Sequence, residues 1–128
     1  MFWKLPLVVG MMLTPFCWPA DTSVRISDCF DGDSCTTEFG EKIRLACIDT
    51  PELRTGDNRH AAKLARDHIM SLVWNKDVEL KRYSMDRYQR TVAEIFIDDQ
   101  SINEQMVKSG HAEVFEQYKN DCEWTDEY

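Results

Sequence analysis

The feature that most constrains the fold is one amphipathic helix set among short alternating segments. Residues 59–73 place Ala61, Ala65, Ile69 and Val73 at four-residue spacing, which predicts a helix with one buried face. Five other segments alternate apolar and polar residues, as half-buried strands do. These segments cover residues 24–28, 34–37, 42–48, 78–83 and 91–97. Strands interrupted by one helix after the third predict an α+β fold.

Further signals mark the ends of the helices. Asp57 or Asn58 can cap the long helix, and the capping-box pattern from Ser101 to Glu104 opens a shorter helix that ends near Gly110. A length of 128 residues allows one domain with a modest core. The pattern fits a small five-stranded β-barrel of the oligonucleotide-binding (OB) type with two to three flanking helices.

The N-terminal segment differs from the rest of the chain. It carries one charge, Lys4, and then an apolar run over residues 5–13, a pattern typical of a secretory signal peptide cleaved after Ala20. The run is too short to span a membrane, and an N-terminal membrane anchor is the alternative. We therefore expect an exported protein, periplasmic or extracellular, without stable membrane association after processing. The predicted divisions are a signal peptide over 1–20, a folded domain over 21–118 and an acidic, mobile tail over 119–128.

Four cysteines follow the predicted cleavage site, an even number that favours disulfides in an exported chain. Cys29 and Cys35 are symmetric about Gly32, so a hairpin turn at Gly32 would bring them opposite each other, and we expect them to be bonded. Cys47 and Cys122 are the remaining pair. A zinc site is the rival interpretation, but the chain has no Cys-x-x-Cys pair and its histidines are scattered.

Two short acidic clusters with an arginine between them indicate a candidate catalytic site. The clusters are Asp31-Gly32-Asp33 and Asp49-Thr50-Pro51-Glu52; Arg44 lies between them and Arg90 follows downstream. Carboxylates supply oxygen ligands for a hard cation, guanidinium groups bind phosphate, and a carboxylate can activate water. Together these residue types indicate metal-assisted attack of water on a phosphate.

Each cluster also has a simpler interpretation. Asp31 and Asp33 are common turn residues, the second cluster can be a strand exit followed by a helix cap, and Arg90 can pair with Asp86. The formal charge of −8 argues against a general nucleic-acid coat, which is usually basic, but not against local binding of phosphate. We assign no chemistry to the three histidines.

The order and spacing of the motifs resemble the staphylococcal (micrococcal) nuclease family over about residues 24–118. The motifs are Asp31-Gly32-Asp33, the segment 44–52, Asp86-Arg87-Tyr88-Gln89-Arg90, and Ile102-Asn103 followed by Ser109-Gly110-His111-Ala112. The resemblance implies a five-stranded barrel with flanking helices. It also implies calcium-dependent hydrolysis of DNA and RNA, which leaves a 3′-phosphate and a 5′-hydroxyl.

Carried over by motif position, the resemblance implies a calcium site and a base. Asp33 and Asp49 would be calcium ligands, with the carbonyl of Thr50 as a third. Glu52 would act on the attacking water. The implied cofactor is Ca²⁺, which accepts carboxylate, carbonyl and water oxygens.

The same motifs imply the residues that hold the substrate. Arg44 and Arg90 would bind the scissile phosphate, where charge develops in the transition state. Arg87, Tyr88 and Tyr118 would lie near the nucleotide. The implied partners are DNA and RNA, as substrates of a monomeric enzyme.

The chain departs from the family pattern at Gln89, where a glycine is usual. If that position has a positive φ, the glutamine costs about 1 kcal/mol and can displace Arg90. Ser34 replaces the usual threonine. The chain also ends soon after Tyr118, where relatives often continue into a further helix.

Functions of other classes share this fold. The main alternative to a calcium-dependent nuclease is a non-catalytic nucleic-acid or protein binding module, and a structural calcium-binding domain is a third possibility. The combination of Arg44, Glu52 and Arg90 favours the enzyme, because a binding module does not need a water-activating carboxylate beside a metal site.

Overall fold

The structure, a computed structural model, describes residues 23–53 and 58–128. The predicted signal peptide over 1–20 lies outside the described residues, as does most of the polar loop before the long helix. Of the helices within the described ranges, none is long and apolar enough to cross a membrane.

Eight strands form within the described ranges, and six of them make one mixed sheet. The strands are β1 Val24–Asp31, β2 Ser34–Thr37, β3 Lys42–Leu45, β4 Ile48–Asp49, β5 Asp77–Met85, β6 Thr91–Ile97, β7 Gln100–Ser101 and β8 Glu113–Val114. The sheet has the order β3, β2, β1, β5, β6, β7, and a parallel pairing also joins β3 to β6. β4 and β8 form a separate antiparallel pair. The α+β prediction is confirmed, with a six-stranded sheet in place of the five strands expected.

Two α-helices flank the sheet, α1 Arg59–Val73 and α2 Ile102–Lys108. α1 has the predicted bounds, and its N-cap is Asn58, whose side chain accepts a hydrogen bond from a backbone N–H of the first turn. The predicted cap of α2 also forms, because the Ser101 hydroxyl accepts a hydrogen bond from the Glu104 N–H at 3.1 Å. Short 3₁₀ turns follow near the C-terminus.

One apolar core lies between the helices and the sheet. α1 contributes Ala65, Ile69 and Val73, which are fully buried, as their spacing predicts. Ala62 is buried with them, whereas Ala61 is only half-buried. Each buried aliphatic side chain of the size of Ile69 or Val73 stabilises the fold by about 1.5–3 kcal/mol relative to exposure.

The third strand is shorter than predicted, because the chain turns at Ala46 and Cys47 before it resumes as β4. Cys47 has a φ of +71°, a left-handed conformation that the alternation of residues 42–48 does not signal. Long-range contacts hold this turn. The Ala46 N–H donates to the Ala93 carbonyl at 2.8 Å, and the apolar run therefore splits into two strands.

The acidic C-terminal segment is packed, so the expectation of a mobile tail over 119–128 does not hold in the structure. Trp124 is buried, and its indole N–H donates to the Glu94 carboxylate at 2.7 Å. Glu94 is itself buried and also accepts hydrogen bonds from the hydroxyls of Tyr83 and Ser101. The local composition of the segment contains no sign of these distant partners.

The predicted Cys29–Cys35 disulfide forms, and the remaining pair, Cys47 and Cys122, is bonded as well. Cys29 and Cys35 join β1 to β2, where the two residues are direct partners in register. Cys47 and Cys122 join the turn after β3 to the C-terminal segment. The paired residues are separated by 6 positions in the first bond and by 75 in the second.

The two disulfides should stabilise the fold unequally. The chain-entropy relation gives about 2 kcal/mol for the short loop and about 4.5 kcal/mol for the long one. Replacing Cys47 and Cys122 by alanine should therefore lower the free energy of unfolding about twice as much as replacing Cys29 and Cys35. Urea denaturation of the two double variants, each against the oxidised wild type, measures the difference. A larger loss from the short loop would contradict the entropic account.

Candidate active site

The turn between β1 and β2 lies against α1. A Cβ atom added to Gly32 would be 2.8 Å from the Ala65 Cβ and 3.1 Å from the Thr50 Cγ2, so a residue larger than glycine cannot fit without movement. This close approach buries the next residue, Asp33, which is only 6% exposed. The short disulfide closes the base of the same hairpin. The position of Asp33 is therefore fixed by the contact of the hairpin with α1 and by the disulfide between its strands.

Arg44 lies between the two carboxylates that the resemblance assigns to calcium. Its Nη1 is 3.2 Å from Asp33 Oδ2, and its Nη2 is 3.6 Å from Asp49 Oδ1. Nη1 also donates to the Leu45 carbonyl at 2.8 Å. The Asp33 side chain is 9% exposed and the Asp49 side chain is 57% exposed. One buried carboxylate and one open carboxylate thus face the same guanidinium.

The Asp33 carboxylate has further polar partners on both oxygens. Oδ2 accepts a hydrogen bond from the Thr50 N–H at 3.1 Å, and Oδ1 accepts one from the Ser34 hydroxyl at 3.3 Å. Burial raises the pKa of Asp33 above its ordinary value, although the Arg44 guanidinium and the Thr50 N–H oppose that shift.

Asp31 and Glu52 extend this group of carboxylates. Asp31 accepts a hydrogen bond from the Leu53 N–H at 3.2 Å, which ties the second acidic cluster to the first turn. Burial raises the pKa of Asp31, and the charges of Asp33 and Glu52 raise it further, while the Leu53 bond opposes the shift. Glu52 is exposed, so the side chain predicted to act on water lies where water reaches it.

The residues present fit a calcium ion. Asp33 and Asp49 both face the Arg44 guanidinium, each through a different nitrogen, so carboxylate oxygens of the kind that calcium takes border one positively charged group. At the same place the Thr50 Oγ1 is buried without a hydrogen-bond partner. Within residues 23–53 and 58–128, no group of three or more His, Cys, Asp or Glu side chains is placed to hold a metal ion. Carbonyl, water and phosphate oxygens would therefore have to complete the roughly six to eight ligands that calcium takes.

The turn between β5 and β6 presents Arg87, Tyr88 and Arg90, and the Asp86 carboxylate organises it. Asp86 Oδ1 accepts hydrogen bonds from the N–H groups of Tyr88 and Arg90, both at 2.9 Å, and Oδ2 accepts one from Arg90 Nε at 2.7 Å. Burial alone would raise the pKa of Asp86, but these hydrogen bonds lower it below its ordinary value. Arg90 Nη1 also donates to Ser34 Oγ at 3.3 Å, so the turn reaches the first acidic cluster.

Gln89 has a φ of +64°, the left-handed conformation in which the absence of glycine carries a cost. The turn closes nevertheless: the Gln89 N–H donates to the Asp86 carbonyl at 3.1 Å, and the Asp86 N–H donates to the Arg90 carbonyl at 2.9 Å. Arg90 keeps its contacts with Asp86 and Ser34. The turn thus closes around a strained glutamine, with Arg90 held by Asp86 and Ser34.

A cleft of about 620 Å³ adjoins the acidic residues at Arg44, although Asp33, Asp49, Thr50 and Glu52 do not line it. Five predicted site residues line it: Arg44, Arg87, Tyr88, Arg90 and Tyr118. Its three guanidinium groups outnumber the one carboxylate, in a chain whose formal charge is −8. Arg87 and Arg90 lie over the ring of Tyr88, with guanidinium carbons 4.9 Å and 5.5 Å from the ring centroid. Tyr88 and Tyr118 are both exposed.

Asn103, which has no predicted role although it lies in one of the family motifs, supports the site through its side chain. It is fully buried. Its Oδ1 accepts a hydrogen bond from the Ile95 N–H at 3.1 Å, and its Nδ2 donates to the carbonyls of Ala46 at 2.9 Å and Ala93 at 3.2 Å. The signal that could have revealed it is a polar residue on the apolar stripe of α2, three positions before Met106.

Residues 42–128 match the family model described as staphylococcal nuclease homologue. The chain belongs to the staphylococcal nuclease family. Domains of this family have the OB-type fold, in agreement with the strands and helices described above.

Individual members of the family are similar over most of the chain. A protein of Haemophilus influenzae named an uncharacterized endonuclease is 38% identical over 109 residues, which cover 82% of this chain and 59% of that protein. One of Escherichia coli O157:H7 with the same name is 33% identical over 120 residues, 88% and 76% of the two chains. The probable staphylococcal-like nuclease CAN3 of Oryza sativa subsp. japonica is 31% identical over 98 residues, 77% of this chain and 24% of that protein. The chain thus spans less than two thirds of the Haemophilus protein.

Replacing Gln89 by glycine should stabilise this nuclease-family chain. Relief of the left-handed strain should raise the free energy of unfolding by about 1 kcal/mol. The matched control is Gln105→Gly within α2, which should lower it by about the same amount, because glycine is unfavourable in a helix. Urea denaturation of both variants provides the comparison. A loss of stability in Gln89→Gly would show that the glutamine side chain contributes more than its backbone conformation costs.

Proposed function

We propose that the chain is an exported, calcium-dependent phosphodiesterase that hydrolyses DNA, RNA or both and leaves 3′-phosphate and 5′-hydroxyl ends. The observation that carries this proposal is the double position of Arg44, which lies between Asp33 and Asp49 and also lines the cleft with Arg87 and Arg90. Carboxylates that fit a metal ion and guanidinium groups that fit phosphate therefore meet at one residue. The similar bacterial proteins are named endonucleases, which supports nucleic acid as the substrate.

Arg44 and Arg90 would hold the scissile phosphate in the cleft. Guanidinium groups bind phosphate with two parallel hydrogen bonds, and they oppose the negative charge that develops during attack. Each is fixed in advance, Arg44 by the Leu45 carbonyl and Arg90 by Asp86. Donors that need no rearrangement stabilise a transition state most effectively.

Glu52 would take the proton from the attacking water. It follows Asp49 by three residues and is exposed, so base and metal ligands share one segment. Asp33, Asp49 and the Thr50 carbonyl would hold calcium, which when bound polarises a phosphoryl oxygen and orients the attack. Deprotonation by Glu52 makes the water a stronger nucleophile. Its oxygen would bond to phosphorus as the bond from phosphorus to the 5′-oxygen breaks, and the 5′-oxygen would take a proton from solvent, which gives the 3′-phosphate and the 5′-hydroxyl.

The remaining cleft residues would contact the nucleotide next to the phosphate. Tyr88 and Tyr118 offer exposed rings to a base or sugar, and Arg87 donates to the Tyr88 hydroxyl at 2.8 Å, which holds the pair together. One chain supplies every residue of this proposed site, so a monomer suffices.

Export is supported by two observations. Residues 1–20 have the pattern of a signal peptide, and both disulfides are of the kind that persists in oxidising compartments.

A non-catalytic binding module on the same fold is the alternative function. The deciding assay is digestion of single-stranded DNA by the purified protein with calcium and then with a chelator, followed by analysis of the product ends. Calcium-dependent cleavage that leaves 3′-phosphates supports the enzyme. Binding without cleavage under both conditions would establish the module instead.

Asp49→Asn should remove most of the activity and leave the fold intact, because the side chain is exposed. Loss of one charged ligand should lower calcium affinity and cleavage by at least the roughly 10–100-fold that changes to the outer-shell partners of metal ligands cause. Asp77→Asn is the matched control, since Asp77 is also exposed and pairs with Arg25 at another part of the sheet. Calorimetric calcium titration and cleavage at low calcium measure both effects. Unchanged values in Asp49→Asn would dismiss the metal assignment.

Arg90 and Glu52 should matter for turnover more than for folding, whereas Arg44 should matter for both, because it also pairs with the buried Asp33. Each single change to glutamine should slow single-turnover cleavage by on the order of 10²–10³-fold, and lysine in place of either arginine should recover little, because it lacks the two-pronged geometry. The effects should not add, since the groups act on one transition state. Arg82→Gln, which breaks a surface pair with Glu41, is the control. Near-wild-type rates in all three variants, with normal melting, would leave the binding module standing.

A further inference from the structure

One carboxylate in the cleft has no part in the proposed chemistry. Asp86 lines the cleft, and its negative charge lies among groups that should attract phosphate. A carboxylate at this place has to be explained, because it would repel the substrate if it were free. Its side chain is only 20% exposed, and its hydrogen bonds show what it does instead.

The hydrogen bonds of Asp86 all go to the turn that carries the phosphate-binding side chains. Oδ2 holds Arg90 Nε at 2.7 Å, and Oδ1 holds the backbone N–H groups of Tyr88 and Arg90 at 2.9 Å. A simple counterion for Arg90 would need only the first of these contacts. The two backbone contacts fix the turn itself, and the side-chain contact fixes the guanidinium relative to that turn.

A second contact sets the direction of the Arg90 guanidinium. Nη1 donates to Ser34 Oγ at 3.3 Å, and the same hydroxyl donates to Asp33 Oδ1 at 3.3 Å. Arg90 is therefore held at Nε by its own turn and at Nη1 by the opposite hairpin. This chain of contacts connects the phosphate side of the cleft to the buried carboxylate of the proposed metal site.

We propose that Asp86 is a positioning residue, which holds the Arg90 guanidinium in the orientation that meets the scissile phosphate. The inference rests on the proposed function of the cleft. A positioning role and a counterion role predict opposite effects on catalysis when Asp86 is removed. A counterion weakens phosphate binding, so its removal would improve catalysis, whereas removal of a positioning residue impairs it.

Asp86→Asn separates the two roles, because the amide oxygen can still accept the backbone hydrogen bonds while the charge that holds Arg90 is lost. We expect kcat to fall by about 10–100-fold, the effect of misplacing a group at the reacting centre, with a much smaller change in KM and normal melting. In an Arg90→Gln background, Asp86→Asn should have no further effect. Asp77→Asn, which breaks another Asp–Arg pair, should leave both constants unchanged.

An NMR measurement tests the inference independently of activity. The Arg90 Nε–H signal, assigned by its loss in Arg90→Gln, should exchange slowly with solvent in the wild type and rapidly in Asp86→Asn. If Asp86→Asn fails to fold, Asp86→Ser keeps a backbone acceptor and takes its place. A rise in kcat/KM, an equal loss in the Arg90→Gln background, or an Nε–H that is unaffected by the substitution would overturn the proposal. Absence of cleavage by the wild type would instead count against the proposed function alone.

Discussion

The turn between β3 and β4 depends on one buried amide. Asn103, on α2, bonds to Ile95 and Ala93 on β6 and to the Ala46 carbonyl in the turn. The side chain has no access to water. Its loss would remove the side-chain partner of the Ile95 N–H and of the Ala46 carbonyl, at about 1–3 kcal/mol for each group left unsatisfied. Hydrogen bonds in such a setting act together, because each is strengthened by the low local dielectric. Strand, helix and turn are thereby joined at one point.

This turn sets the geometry of the proposed active site. Arg44 precedes it on β3 and Asp49 follows it on β4, so its conformation brings the guanidinium to 3.6 Å from the carboxylate. Cys47, within the turn, is bonded to the C-terminal segment, and its carbonyl accepts a hydrogen bond from the Phe115 N–H at 2.7 Å. The C-terminal segment therefore holds in place the turn residue Cys47, which lines the cleft. The acidic composition of the segment gives no indication of this structural role.

Elements with local signals could be predicted from the sequence. The strands Ser34–Thr37 and Thr91–Ile97 and the helix Arg59–Val73 have the expected bounds, because their periodicity and end residues are encoded within the segments themselves. The break at Ala46 could not be predicted in the same way. Ala46 and Cys47 continue an apolar pattern, and their turn is held by residues roughly fifty to seventy-five positions away.

The candidate site shows the same division. The motifs predict Asp33, Arg44 and Asp49 as site residues, and in the structure Arg44 contacts both carboxylates. The sequence leaves the role of Asp86 open, because it indicates a pair with Arg90 only as an alternative to a functional role for that arginine. Its backbone hydrogen bonds depend on the left-handed conformation of Gln89, and side-chain identity alone does not reveal that conformation at a residue other than glycine.

Arg44 connects the negative and the positive parts of the proposed site, because it pairs with Asp33 and Asp49 and also lines the cleft. A carboxylate pair of which one member is buried needs a cation nearby, because an unpaired buried charge is strongly unfavourable. Arg44 supplies it, and the same guanidinium lines the cleft. Since the formal charge of the whole chain is −8, attraction of a polyanion cannot come from the surface at large, and fields from distant charges are screened within about 8–10 Å at physiological salt. The proposed affinity for phosphate would therefore be confined to the cleft, where Arg44 lies beside the two carboxylates that would hold the metal.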